Sequence, residues 1–321
     1  MTNSIHWYEY IPVDTVVVRG AEPENQSLRG VFPPPSFMIE GAIRTAYLFQ
    51  KGCDPRKYKE GQCSEVEKVI GKPGEPLPFH VIGPFFKKGN DVYIPVPALW
   101  YGKKEDKDTP VEGGLCPEEA SEMTEQQKDW ITCDKEKVYF VRRSDTSEKI
   151  SLVGYWMKWE DFSKWKNDKT SPIEVRSSSF FYEKESRTGV ALTPQKTTRE
   201  GKLYIYTHYR LYEDVTLVFG IDGEAFLDDT GILKIGGEQR FGRYRKVEGM
   251  PWPASSQSEK KYMALSFVEA TRSAQNSLVA TGKVVRLGGW DMAKAFHKPV
   301  KTYYMPGTVF SSRIDENMIE I

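Results

Sequence analysis

The sequence predicts an α+β fold in which antiparallel sheet carries its helices on one face and polar insertions separate the folded lobes. Three observations carry that expectation. Short runs of alternating or β-branched apolar residues recur along the chain, a helix-periodic stretch follows the first of them, and no repeat occurs at the periods of solenoids or propellers. At 321 residues, one large or two compact domains are expected. A hydrophobic content of 39% is low for a globular chain, but 13% aromatic argues against disorder.

The elements follow in order. The first strand pattern spans Ile5–Val18 and ends in the β-branched run Thr15 to Val18; a polar loop, Arg19–Gly30, comes next. Pro33, Pro34 and Pro35 before Ser36 signal a helix entry, with Ser36 placed to cap the first turn. Ile39, Ala42, Ile43, Ala46, Tyr47 and Phe49 recur at helical spacing, while Glu40 and Arg44 sit at i,i+4 on another face. Leu77–Ile82 and Asp91–Pro97 read as a hairpin with Lys88, Gly89 and Asn90 in the turn, and Pro95 and Pro97 push the second strand towards an edge.

Between Gly102 and Asp134, Glu105, Asp106, Asp108, Glu112, Glu118, Glu119, Glu122 and Glu125 make an acidic, mostly solvated insertion. Tyr155, Trp156, Trp159, Phe162 and Trp165 then predict a short amphipathic helix, broken at Asp168–Pro172. Tyr204–Tyr212 alternates cleanly, with Val215–Phe219 as its expected partner strand. Met263–Val268 and Val309–Ile314 read as further short strands.

The charge balance narrows the function classes. Forty-five bases cancel 45 acids, so any nucleic-acid role must come from local patches. No stretch resembles a signal peptide or approaches the roughly 20 apolar residues that span a bilayer, which makes the cytoplasm the expected address. Cys53, Cys63, Cys116 and Cys133 are too few and scattered for a secreted disulfide scaffold. They contain no C-x-x-C pair, so zinc would need an irregular four-cysteine site. No metal or cofactor is expected.

Four constellations carry possible chemistry. In Lys234–Lys246 five bases (Lys234, Arg240, Arg243, Arg245, Lys246) outweigh Glu238, and Gly236-Gly237 lets a polyanion approach backbone amides. Phe241 and Tyr244 offer stacking surfaces. This segment reads as a cradle for an RNA backbone or as a tight turn leading into a solvated basic strand. Arg286-Leu287-Gly288-Gly289-Trp290-Asp291-Met292, followed by Lys294, His297, Lys298 and Lys301, repeats the theme; the alternative is a structural bend with Trp290 in the core. The helix entry at Ser36 with Gly41 and Arg44 suits phosphate, and Gly41 suggests close approach by another backbone. Finally, Tyr204, Tyr206, His208, Arg210 and Tyr212 share one strand face, either to stack bases or to pack. His208 beside Tyr206 and Arg210 could act as general base of a metal-independent ribonuclease, but an exposed strand histidine is the plainer reading.

Several stretches together resemble a known family. Pro34-Pro35-Ser36 leading to Gly41-Ala42-Ile43-Arg44-Thr45, after a strand ending Val18-Arg19, is similar to the first strand and helix of a RAMP protein. More narrowly, it resembles the third subunit of the Cmr (type III-B) CRISPR effectors. Gly154-Tyr155, Glu185 to Gly189 with Glu200 to Tyr204, Gly236-Gly237-Glu238 with Arg240, and Gly289 to Met292 agree in order.

The resemblance implies two ferredoxin-like (RRM-like) lobes, residues 1–200 with an insertion at about 100–175, and a trimmed lobe over 201–321. It implies a non-catalytic subunit that caps the 5′ handle of the crRNA and docks to the large polymerase/cyclase-type subunit and to a backbone RAMP subunit, with no membrane partner. A RAMP-type endoribonuclease processing precursor crRNA is the alternative. The RNA-facing residues it implies are Arg19, Gly41, Arg44, Gly236, Gly237, Arg240 and Trp290, Asp291 and Met292, to which the density of arginine adds Arg243. The sequence departs from some relatives at Glu22, in a shorter Tyr262–Gly289 segment, and in reaching Ile321 without a further glycine-rich segment; each departure implies fewer contacts.

Overall fold

The computed structural model describes residues 5–21, 30–104, 113–128, 137–140, 148–248, 261–291 and 296–321. Residues 105–112 and 129–134 of the acidic insertion, and Met292, lie outside them. Antiparallel sheets dominate and helices are few, an α+β architecture. The chain forms two compact units, one from Met1–Gly89, Tyr182–Pro251 and Val285–Thr302, the other from Asn90–Phe181, Trp252–Val284 and Tyr303–Ile321. The units therefore interleave in sequence. The boundary expected at 200/201 falls inside the strand Thr198–Leu211, because strands distant in sequence close the same sheet.

In the first unit the strand Ile5–Pro12 lies mid-sheet, paired antiparallel with Val215–Asp222 on one side and Gly242–Val247 on the other. Val81–Lys88 extends the sheet beyond the former and Thr230–Leu233 beyond the latter. Alternation sends Tyr8, Tyr10 and Tyr244 to one buried face, where Tyr8 meets Phe219 and Tyr244 at ring distances of 5.8 Å each. The helix Ser36–Gln50 contributes Ile39, Ala42, Ile43, Ala46, Tyr47 and Leu48 to the core. It is tied to the sheet by Gln50, which donates to the Tyr244 hydroxyl at 2.5 Å, and by Glu40, which accepts from the Val81 N–H at 3.4 Å. Burying each of those large side chains contributes about 1.5–3 kcal/mol.

On the other face Glu9, only 3% exposed, takes Lys87 at 3.0 Å, Thr216 at 2.8 Å and Arg245 at 2.6 Å. Burial raises its carboxyl, but these hydrogen bonds and the Lys87 charge more than offset that and leave it below the usual carboxylate range.

Several expectations change. The first strand stops at Pro12, and Val16 makes a single bridge to Tyr209 instead of continuing the ladder. The strands of this stretch are Val81–Lys88 in the first unit and Asp91–Pro95 in the second, with Gly89-Asn90 between them in sequence. The first of them runs through Gly83-Pro84 because a bulge between Val218 and Gly220 absorbs the missing donor. Tyr204–Leu211 belongs to the strand Thr198–Leu211, with Tyr212 just past its end, and that strand pairs with Tyr182–Leu192 and not with Val215–Phe219. Leu217, Val218 and Phe219 are all fully buried, so that strand needs cover on both faces and sits mid-sheet.

Pro35, not Ser36, is the N-cap residue of the first helix, and it supplies no side-chain cap. A Cβ on Gly41 would meet nothing within 4 Å, so among the described residues no neighbouring backbone approaches it there. Cys53 and Cys63 form a disulfide across 6.6 Å between Cα atoms, which removes the four-cysteine zinc site. Among the described residues no group of three or more His, Cys, Asp or Glu could hold a metal ion, and no helix is long and apolar enough to cross a membrane.

In the second unit Asp91–Pro95, Trp156–Lys158, Ile173–Arg176 and Gly113–Leu115 pair in that order. The expected aromatic helix is present over Trp159–Asn167 with Trp159, Phe162 and Trp165 buried. Trp165 meets Trp100 edge-on at 4.5 Å. Asp168 ends the helix by accepting from the Thr170 N–H at 3.0 Å. A smaller core of Ala264, Val268, Ala274, Tyr304, Phe310 and Met318 gathers the remaining short strands and the helix Arg272–Ser277, which Thr271 caps. The expected strands there shrink to Tyr262–Ala264, Val268–Glu269 and Val309–Phe310.

Candidate functional site

The glycine-rich turn Gly236–Arg240 lies against the segment that follows the first strand. Gly236 has φ +88°, and a Cβ there would lie 2.1 Å from the Val17 carbonyl oxygen, so the position demands glycine on two counts. The Gly237 N–H donates to that same carbonyl at 2.7 Å. Glu238 and Gln239 follow with φ of 56° and 54°. Each non-glycine residue in this left-handed region costs on the order of 1 kcal/mol, so the surrounding contacts must hold the turn.

Those contacts are ionic. Arg240 donates to Asp14 at 2.5 Å, and Arg210 reaches the other oxygen of Asp14 at 2.9 Å. Arg210 also donates to Glu185, which takes Arg187 at 2.7 Å. The two arginines hold the Glu185 carboxyl at about 2, the Arg210 hydrogen bond contributing most. Burial pushes Asp14 up, but the Arg210 hydrogen bond and the charges of Arg210, Arg240 and Arg187 hold it below its ordinary value.

His208 is 1% exposed, which corrects the expected exposed strand histidine. Its Nδ1 shares a hydrogen bond with Thr15 Oγ1 at 2.9 Å, and its Nε2 faces Glu238 at 3.5 Å. Burial, then the Arg187 charge, lower its pKa and favour the neutral ring. A buried ring committed on both nitrogens is poorly placed to take a proton from a large substrate. On the strand face that carries it Arg19 lies over the Tyr206 ring at 4.2 Å, and on the reverse face Tyr209 stacks on Phe32 at 4.9 Å.

Beside the turn opens a pocket of about 470 Å³. Gly236, Gly237 and Glu238 form one wall, and Val18, Arg19 and Ala21 another. Leu287, Gly288 and Gly289 with His297, Lys298 and Val300 form a third, and Phe37 and Met38 from the first helical turn complete it. The two glycine-rich stretches that the sequence offers separately thus line one cavity. The Ala21 N–H, donating to the Arg286 carbonyl at 2.9 Å, joins two of those walls. The cavity combines an apolar interior with glycine backbone, one guanidinium, one ammonium and one carboxylate. That mix suits a ligand with both a flat apolar body and negative charge.

Not every expected residue comes here. Arg44 is spent on the carbonyls of Ile70 at 3.2 Å and Glu75 at 3.3 Å, and neither it nor Gly41 lines the pocket. Arg243 is exposed on its strand, opposite Ile11 on one side and Ile232 on the other. Trp290 and Asp291 end the strand Val284–Asp291, which runs straight through the expected bend, and Met292 lies outside the described residues. Sequence reasoning missed Asp14, Phe37 and Met38; the latter two lie one turn ahead of an apolar helical stripe and carry no distinguishing signal.

The fold is that of a chain found in type III-B CRISPR effectors. One solved structure, the type III-B Cmr-beta complex bound to cognate target RNA and AMPPnP, has a similar chain with TM-score 0.51 and 16% identity, covering 96% of this chain and 86% of that one. A second, the same kind of complex bound to cognate target RNA, gives 0.50 and 16% over the same shares. A search of curated proteins finds no match. The sequence profile of the CRISPR-associated protein family Cas_Cmr3 matches residues 9–271, and the chain belongs to that family.

Proposed function

We propose that this protein is a non-catalytic subunit of a type III-B CRISPR ribonucleoprotein, that it holds the 5′ handle of the crRNA, and that it docks to the large polymerase/cyclase-type subunit and a backbone RAMP subunit. Its two units are then two ferredoxin-like lobes. The observation that carries the reading is the pocket that unites Gly236-Gly237 and Gly288-Gly289 with Arg19 and Lys298. Open backbone beside fixed cations is what an RNA strand requires. The similar chains come from complexes bound to target RNA, which agrees with an RNA-facing site. The burial of His208 favours a binding role over the nuclease alternative.

Within this reading Arg19, Gly236 and Gly237 meet the RNA directly, and Arg240 serves by holding the turn against Asp14. Trp290 and Asp291, which end the pocket strand, and Met292 after them contact the next nucleotides in this reading, while Arg44, Gly41 and Arg243 serve elsewhere.

The test uses the assembled complex purified from its host. Complexes carrying Arg19→Glu together with Gly237→Phe, the second change filling the pocket, are expected to lose guide RNA. Full retention of guide RNA by that double variant defeats the proposal.

A further inference from the structure

Glu238 is out of place in a site for a polyanion. Among the described residues it is the one acid lining the pocket, beside Arg19 and Lys298. Its ion contacts are long: 3.8 Å to Arg19, 3.5 Å to His208 and 3.7 Å to Arg240. Among the described residues its carboxylate accepts no hydrogen bond as short as those Asp14 and Glu185 receive from the neighbouring arginines. Both Glu238 and Gln239 also hold left-handed backbone that glycine or asparagine would adopt at lower cost. A side chain kept in strained backbone beside a cavity, with only long ion contacts, suits a ligand that supplies donors. A phosphate supplies none.

Resting on the RNA-binding reading above, we infer that Glu238 reads a nucleobase, and that the pocket selects guanine. An unstacked base fits a cavity of about 470 Å³ with Phe37 and Met38 in its wall. Guanine's Watson–Crick edge presents two parallel donors, N1–H and N2–H, which match the two oxygens of one carboxylate. Adenine and cytosine offer one amino group, and uracil a single imide N–H flanked by carbonyls that a carboxylate repels. Arg19, resting on Tyr206, remains for the adjoining phosphate.

The experiment measures binding of the full chain to fluorescent uridine octamers that carry one guanosine, or one inosine, at each position in turn. At one position guanosine is expected to raise affinity about tenfold over the all-uridine octamer, and inosine, which lacks the 2-amino group, to lose most of that gain. Glu238→Gln is expected to bring guanosine within about twofold of uridine. If Glu238→Gln instead strengthens every octamer equally, or if wild type binds without preferring guanosine, Glu238 is only a counter-ion and the inference fails while the RNA-binding reading stands. If wild type binds none of the octamers, the RNA-binding reading fails and takes this one with it.

Discussion

Arg240 donates to Asp14 at 2.5 Å across 226 positions of sequence, and this pair holds the glycine turn against the segment leaving the first strand. The two readings of Arg240, direct contact or brace, predict opposite effects of neutralising its partner. Asp14→Asn removes a negative charge from the site, so it would tighten RNA binding if Arg240 met phosphate directly. If Arg240 braces the turn, Asp14→Asn weakens binding, and Asp14→Ala with Arg240→Ala weakens it little more than either alone. The brace reading expects a coupling of about 1–2 kcal/mol in a double-mutant cycle of RNA affinity.

The two glycines of the turn separate steric need from ligand access. Gly236→Ala must relieve both a left-handed φ of +88° and a 2.1 Å approach to the Val17 carbonyl, so urea unfolding is expected to show a loss of at least about 2 kcal/mol. At Gly237 the nearest atom to an added Cβ is the Arg19 side chain at 3.4 Å, an ordinary contact. Gly237→Ala should cost under about 1 kcal/mol while still crowding Arg19.

Local chemistry makes part of this molecule legible in its sequence. The stripe from Ile39 to Tyr47 and the tryptophans at 159 and 165 form helices because their partners lie within one or two turns. The glycine turn declares itself because only glycine fits φ +88° at 236. What the sequence hides depends on remote partners. Val215–Asp222 leaves its sequence neighbour for the strand Ile5–Pro12, and the preference arises from burial on both faces, not from pattern. His208 reads as exposed by alternation but is buried, since the Glu238 turn and Thr15 cover it from far along the chain. The pocket is hidden for the same reason: its walls come from five separate stretches.

The buried state of His208 sets a pH dependence. Its folded pKa lies below the ordinary 6.5, so the unfolded chain takes up its proton first as pH falls. The stability that neutral His208 contributes is complete above about 6.5 and is lost as pH falls through the depressed folded value. Urea midpoints should therefore fall between pH 7 and 5, and His208→Gln should flatten that part of the profile. An unchanged slope in the variant would place the acid sensitivity between pH 7 and 5 elsewhere, though not at Glu185, whose own contribution is lost only between 4.5 and about 2.

Arg19 and Arg44 offer the sharpest contrast, because the family resemblance treats them alike and the structure does not. The Arg44 guanidinium holds the carbonyls of Ile70 and Glu75 and so fixes the end of the helix Ser64–Ile70. Arg44→Ala leaves those carbonyls without their charged donor and should cost about 1–2 kcal/mol in urea unfolding, with RNA affinity unchanged. Arg19 has its side chain 46% exposed on the pocket wall, with a 3.8 Å contact to Glu238 as its ion pair. Arg19→Ala should leave the unfolding midpoint within experimental error, since an exposed pair of that length contributes little. It should instead weaken RNA binding and make the logarithmic salt dependence shallower by about 0.7, the release of one counterion from a single strand. If Arg44→Ala alters the salt slope while Arg19→Ala does not, the RNA runs along the first helix and the pocket is not its site.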